Sequence, residues 1–345
     1  MPDLRRVANP ESPFESRHIE WDGPPPEVAL EVYEEHAKSI VTENSSPDVG
    51  FRFGVNPYRG CFHGCLYCYA RPSHQYWGFG AGTDFERKLV AKVNAPELLD
   101  RELARDRCQG ETLVFSGNTD CYQPLEASYE LTRRCLEVCL RHEQPVSIIT
   151  KGTLIRRDVE LLVALGEKAP VNVWISVAFS DDRVRRALDP FAPPVDARFE
   201  TMRRLAEAGL EVGLACAPVI PGLSDAMIPA VLARAAEAGA SRAFMSLVRL
   251  PREVRAVFEE RLTEAMPERA RKVESAIREM RGGSMNDGRF GSRMRGVGAR
   301  WEAIEQLFEM QARKLGLRRG ETGSPSEKFD APKPVRPRKG QLPLF

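Results

Sequence analysis

From Phe51 onward, short apolar runs rich in β-branched residues alternate with amphipathic stretches. Phe51–Asn56, Thr112–Ser116, Val146–Thr150, Val171–Ala178, Glu211–Ala217 and Ala243–Leu250 are near-continuously apolar, which predicts strands buried on both faces of a parallel sheet. Between them, Ala95–Arg107, Tyr129–His142, Arg156–Lys168, Asp196–Ala208 and Asp225–Ala238 repeat their apolar positions with helical spacing. Gly166, Gly209 and Gly239 stand where a helix end hands over to the next strand. About six strand–helix units result, an α/β chain with too few units for a full eight-fold barrel.

Three further helices are predicted at Arg252–Arg261, Pro267–Arg281 and Ala299–Leu315, the last two separated by a Gly/Arg-rich loop, Gly282–Gly298. Residues 1–45 read as a loosely structured arm with Pro24-Pro25-Pro26 and a short helix over Glu27–Lys38. From Arg318 the chain turns Pro-rich, polar and basic, so 318–345 reads as a disordered tail. The folded domain is thus expected over 46–317.

Composition narrows the picture slightly. Lys and Arg total 50 against 49 Asp and Glu, so the net charge of +1 gives no global pull on nucleic acid, and any such affinity must be local. No stretch approaches the ~20 apolar residues of a membrane span. The polar start, Met1 to Arg6, lacks a signal peptide's apolar core, so the expected location is cytoplasmic. In that compartment eight cysteines should be thiols, and a tight cluster points to metal.

Such a cluster exists. Asn56-Pro57-Tyr58-Arg59-Gly60-Cys61-Phe62-His63-Gly64-Cys65-Leu66-Tyr67-Cys68-Tyr69-Ala70-Arg71 spaces its thiols as C-x3-C-x2-C, with glycines beside two of them. A cubane iron–sulfur cluster takes one thiolate per iron, so three cysteines leave one iron open to a small molecule. The alternatives are buried structural thiols or a zinc site. Zinc wants a fourth Cys or His, for which His63 or His74 is at hand, although His63 lies inside the cysteine loop.

C-x3-C-x-aromatic-C is the signature of the radical SAM superfamily. The flanks Asn56-Pro57-Tyr58-Arg59-Gly60 and Tyr69-Ala70-Arg71-Pro72 resemble the branch related to spore photoproduct lyase, and the likeness runs from about Ser45 to Leu317. The resemblance implies a partial (β/α)6 barrel of TIM type with C-terminal helices. It also implies a 4Fe-4S cluster on Cys61, Cys65 and Cys68, and S-adenosylmethionine bound at the open iron. Reductive cleavage would give a 5′-deoxyadenosyl radical that abstracts hydrogen, fed by an electron donor of the flavodoxin or ferredoxin type. Tyr67 would lie against the adenine.

In a parallel barrel, binding groups gather at the C-terminal strand ends. Ser116-Gly117-Asn118-Thr119-Asp120-Cys121-Tyr122-Gln123-Pro124 resembles the family's Thr-Asp-x-Tyr-Gln-Pro element and offers Asn118, Thr119 and Asp120 to the methionine amino group. A plain turn and helix cap would use the same residue types. The resemblance further assigns cofactor contact to Lys151, Ser176 and Arg198, and a ribose-side turn to Pro218 and Pro221. Spore photoproduct lyases carry a hydrogen-donating cysteine at the end of the second strand. Here that position reads Ser116-Gly117, and Cys121 is the nearest thiol and the candidate donor, or a buried structural thiol.

The chain ends Gln341-Leu342-Pro343-Leu344-Phe345, which resembles the peptide that docks bacterial repair proteins on the sliding clamp. Together with Arg281, Arg289, Arg293 and Arg295 of the Gly/Arg-rich loop, this favours a nucleic-acid lesion or nucleobase as substrate. A peptide or small metabolite, or a non-catalytic metal-stabilised module, is the alternative.

Overall fold

The computed structural model describes residues 30–105, 108 and 110–320. Eleven strands are described: β1 Glu31–Glu35, β2 Val41–Glu43, β3 Phe53–Val55, β4 Tyr58–Arg59, β5 Lys88–Lys92, β6 Leu113–Phe115, β7 Val146–Thr150, β8 Val171–Ser176, β9 Glu211–Val219, β10 Arg242–Leu247 and β11 Arg318–Arg319. Eight of them form one sheet in the order β11-β10-β9-β8-β7-β6-β3-β2. Its six central members, β3 and β6 to β10, run parallel in chain order and coincide with the six apolar runs. Among the described residues β2 and β11 remain its two edges, so the sheet is open.

Burial explains why these strands read so plainly. Every position of β8 and the first six of β9 are buried, because helices cover one face and the sheet's concave side is filled on the other. Buried polar residues close the C-terminal ends of β7 and β8, Thr150 and Ser176, and a charged cluster sits at the N-terminal strand ends. There Arg242 of β10 pairs with Glu211 at 3.0 Å and bonds Asn172, with its guanidinium 4.9 Å above the Trp174 ring. The C-terminal strand ends line the main cavity instead.

The helices follow the predicted segments with ends shifted by a few residues, as in Ala95–Leu103, Val195–Glu207 and Ala299–Lys314. Two are broken. Glu130, at φ +50°, separates Glu126–Tyr129 from Leu131–Arg141, and a 3₁₀ turn over Thr153–Asp158 precedes Val159–Gly166.

Three expectations need correction. The helix placed over Glu27–Lys38 is, in its described part, the strand β1, paired parallel to β5 with Val32 opposite Leu89 and Tyr33 opposite Val90. A long-range ladder overrides local preference here, since β5 offers an edge to which Val32 and Tyr33 suit a pleated surface. The arm drawn to residue 45 is therefore structured from residue 30, where β1 joins β5 and β4 in a small sheet and β2 extends the large one. At the other end, β11 pairs Arg318 with Arg242, so ordered chain continues past the expected tail boundary at 318. The triple proline, the basic tail and Gln341–Phe345 lie outside the described residues. Among the described residues no helix is long and apolar enough to cross a membrane.

Candidate active site

The cysteine loop leaves β4 and turns through two glycines that tolerate no side chain. Gly60 has φ +69°, and a Cβ there would lie 2.8 Å from the Phe85 carbonyl; Gly64 has φ +65°, with the Phe191 ring 2.9 Å from the same hypothetical atom. Side chains then fix the loop's path. Gln123 accepts from the Phe62 amide at 2.9 Å and donates to the Gly60 carbonyl at 3.1 Å. Arg71, fully buried, donates to the carbonyls of Gly64 (3.0 Å) and Cys65 (2.9 Å) and pairs with Glu86 at 2.8 Å. Arg261 reaches the same Glu86 oxygen at 2.9 Å.

This loop lays Cys61, Cys65 and Cys68, all free thiols, on the wall of a cavity of about 530 Å³. The rest of the wall comes from the C-terminal ends of successive strands: Asn56 after β3, Asn118 to Asp120 after β6, Lys151 after β7, Ser176 of β8, Pro218 of β9 and Ser246 to Arg249 around the end of β10. Residues from 42 to 294 thus share one chamber, and its wall is mostly apolar. Phe51, Tyr67, Tyr69 and Phe244 supply the aromatic part.

Most of the residues singled out in the sequence meet here, in distinguishable roles. Asp120 has its oxygens occupied: Oδ1 accepts from the Thr150 hydroxyl at 2.5 Å and the Tyr122 amide at 3.0 Å, and Oδ2 from the Lys151 amide at 2.7 Å. It ties β6's exit to that of β7. Asn118 donates to Ser73 at 3.1 Å, while its own amide and that of Thr119 donate to the Asn56 side chain at 2.9 and 3.4 Å. Ser116, not Gly117, takes the left-handed conformation (φ +69°), at a cost of about 1–3 kcal/mol, and its Oγ accepts from the Cys121 amide at 2.8 Å.

Two assigned residues stay off the cavity wall. Arg198 is 1% exposed and turns to Asp189 (3.3 Å) and the Ser176 carbonyl (3.1 Å), because a buried guanidinium must be paired. Cys121 is wholly buried behind the strand end, where its backbone carbonyl accepts from Thr132 at 2.7 Å. Pro218 lines the cavity whereas Pro221 does not. Of the loop arginines, Arg281 points inward to the carbonyls of Val248, Arg293 and Arg295, and only Arg293 reaches the cavity.

Asp189 carries no sequence signal of its own, and Asn56 and Arg71 stood out only as members of the flanks on either side of the cysteines. Asp189 accepts the Tyr67 hydroxyl and is held by Arg198. The Asn-Pro-Tyr-Arg-Gly flank was the one available pointer to Asn56.

Charge is distributed to suit thiolates. Burial opposes protonation of His63, yet Cys61 and Asp120 (3.4 Å) outweigh it and push the imidazole up to about 9. Burial likewise works against the Lys151 ammonium, but Cys65 and Asp189 hold its pKa above the ordinary lysine value. Burial still outweighs these cations at the thiols themselves: it pushes Cys68 up to about 11 although Arg71 and Lys151 pull it down, and holds Cys65 well above the ordinary thiol value. Three thiols on one wall with His63 and Lys151 beside them are a donor set that fits an iron–sulfur cluster. His74, considered beside the cysteines as a zinc ligand, instead donates from Nε2 to the Lys88 carbonyl at 2.8 Å. Among the described residues no three His, Cys, Asp or Glu side chains converge on a single-ion position.

An open parallel α/β sheet with a three-cysteine loop at its C-terminal edge defines the class. The radical SAM superfamily model matches residues 55–235, more than half of the chain, and the chain belongs to that superfamily. An uncharacterized protein of Mycobacterium tuberculosis is 39% identical over 193 residues, covering 55% of this chain and 57% of its own length. The chain thus spans little more than half of that relative. An uncharacterized protein of Methanocaldococcus jannaschii is 26% identical over 196 residues, covering 57% of this chain and 70% of its own. The fold is that of spore photoproduct lyase. A mutant of that enzyme with bound AdoMet and dinucleoside spore photoproduct superposes with TM-score 0.62 at 14% identity, covering 84% of this chain and 81% of that one.

Proposed function

We propose that this chain is a radical SAM enzyme holding a 4Fe-4S cluster on Cys61, Cys65 and Cys68 and acting on a nucleobase or nucleic-acid lesion. When bound, the cluster supplies the electron that cleaves S-adenosylmethionine to a 5′-deoxyadenosyl radical, and an external flavodoxin- or ferredoxin-type donor replenishes it. The chain's own residues bind, orient and exclude water. Asn118, Thr119, whose buried Oγ1 has no hydrogen-bond partner, and Ser176 offer polar contacts to the amino acid end of the cofactor, and Asp120 holds their turn in place. Tyr67, anchored by Asp189, presents its ring as an apolar wall, and Lys151 stands 5.7 Å from that ring as a fixed positive charge.

The observation that carries this reading is the shared chamber: the three thiols and the strand-end polar residues line one cavity of about 530 Å³, which continues past Phe51, Tyr69 and Phe244 toward Arg249. That is room for a nucleoside-sized cofactor with an aromatic, cationic region beyond it, suited to a base and its phosphate. The likeness to spore photoproduct lyase supports the same substrate class.

The test is anaerobic reconstitution with iron and sulfide, followed by dithionite and S-adenosylmethionine. The expected products are 5′-deoxyadenosine and, with deuterated candidate nucleic acids, deuterium transfer into it. Stoichiometric zinc without iron in anaerobically purified protein would overturn the reading. Deuterium transfer from a peptide alone would overturn its substrate half.

A further inference from the structure

Beyond the cavity lies a second concavity that the proposed chemistry leaves unused. The chain leaves β10 through Arg249-Leu250-Pro251-Arg252 and enters the helix Glu253–Ala265. Arg249 lines the main cavity, 5.8 Å from the Tyr69 ring, with a buried Nε that has no hydrogen-bond partner. Arg252 lines a separate pocket of about 420 Å³ together with Arg255, Arg278, Ser284 and Asn286. Leu250 divides the two and is pinned by its amide, which donates to Asn286 Oδ1 at 3.0 Å. Three residues of chain span at most about 10 Å, so the backbones of Arg249 and Arg252, which line the two cavities, are one short step apart.

The pocket's charge is largely unanswered. Arg255 pairs with Glu259 at 2.8 Å, and Arg278 donates to the Gly283 carbonyl at 3.3 Å. Among the described residues, Arg249, Arg252 and Arg278 have no carboxylate within ion-pair distance. Arg252 also holds φ +49°, a conformation that glycine adopts without strain and arginine does not. The position nevertheless carries an arginine, and that arginine lines the pocket. Planar guanidinium forks match phosphate oxygens, and Ser284 and the Asn286 amide add neutral donors.

We propose that Arg252, Arg255 and Arg278 bind a backbone phosphate of a single-stranded nucleic acid whose neighbouring base enters the cavity past Arg249. This rests on the nucleic-acid reading above. The spacing favours a polymer over a free anion, because the same short segment offers one cation to the chamber and the next to the pocket outside it. Phosphate contacts of this kind position the strand and carry no sequence information.

The test is fluorescence anisotropy of a fluorescein-labelled oligothymidylate with the full-length, anaerobically reconstituted chain, from about 50 to 200 mM salt. Removing the one phosphate contact that the three arginines share, in R252Q/R255Q/R278Q, should lower the slope of log K against log salt by about 0.7 and weaken binding at every salt. The variant R252K/R255K/R278K should keep most of the slope. If the wild-type chain shows no salt-dependent binding, the nucleic-acid reading itself falls. If it binds, and the triple glutamine variant melts like wild type with unchanged slope and affinity, this site alone falls. Should the triple variant not fold, R252Q and R278Q decide singly: each should weaken binding and lose part of that ~0.7 of slope, and unchanged slope and affinity in both overturns the site.

Discussion

Tyr67, between two of the cysteines, donates its hydroxyl to Asp189, a residue 122 positions further along the chain. Asp189 is wholly buried and is also the counter-ion of Arg198, itself 1% exposed. One carboxylate therefore joins the cysteine loop to the exit of β8. Asp189→Ala leaves Arg198 as an unpaired buried cation and should cost about 3–5 kcal/mol in urea denaturation. Tyr67→Phe removes one hydrogen bond while the ion pair stays, and should cost about 1 kcal/mol. Equal losses in the two variants would show that Asp189 does not bridge these elements.

Arg71 supports the cysteine loop from beneath, bonding the carbonyls of Gly64 and Cys65 while Glu86 balances its charge. It lies behind the thiols and is absent from the cavity wall, so its contribution is to hold the loop in a shape ready for metal. Partners of this kind typically change metal affinity by about 10–100-fold. Arg71→Gln should accordingly lower iron and acid-labile sulfide retained after gel filtration, while leaving a cooperative unfolding transition. Full retention of iron by a folded R71Q chain would refute the role.

His74 gives the fold a pH dependence separate from the cavity. Burial between Phe79 and Phe85 pushes its imidazole down to about 4, outweighing the bond to the Lys88 carbonyl. The unfolded chain takes up that proton near pH 6.5, whereas the folded chain does not until about pH 4. Stability from this residue is thus complete above the unfolded value and is lost as pH falls toward the folded one. Between about pH 7 and pH 5 the loss should be about 2 kcal/mol, at ~1.4 kcal/mol per unit below 6.5. His74→Gln, which can still donate to the carbonyl, should flatten the urea midpoint over that range. An unchanged pH slope in H74Q would rule His74 out as its source.

The parts of this molecule readable from sequence share a physical property: their signals are local or doubly buried. The six central strands declared themselves because burial on both faces leaves near-continuous apolar runs, as in Val171–Ser176. The cysteine spacing is local by nature. By contrast, four of the five residues of β1 are exposed, so no buried face imprints an alternation on Glu31–Glu35. The chemistry of Asp120 and Asp189 was hidden differently. The first is consumed by Thr150 and Lys151, and the second acts on a tyrosine far away in the chain. Residue type alone could not separate a ligand from a strut.

That distinction is testable on the cysteines. Cys61, Cys65 and Cys68 line the chamber, whereas Cys121 is wholly buried, with both its backbone and its thiol engaged by Ser116 and Thr132. A hydrogen-atom donor must approach a product radical held in the cavity, and Cys121 has no face there. Replacing any one of the three loop cysteines by Ala should abolish 5′-deoxyadenosine formation and iron retention together. Cys121→Ala should instead cost about 1–2 kcal/mol of stability through a small core cavity and leave 5′-deoxyadenosine formation within about twofold of wild type. If C121A folds and binds iron normally, yet the substrate radical accumulates without being quenched, the buried thiol does return a hydrogen atom. The strand-end segment Ser116–Cys121 would then have to open during turnover.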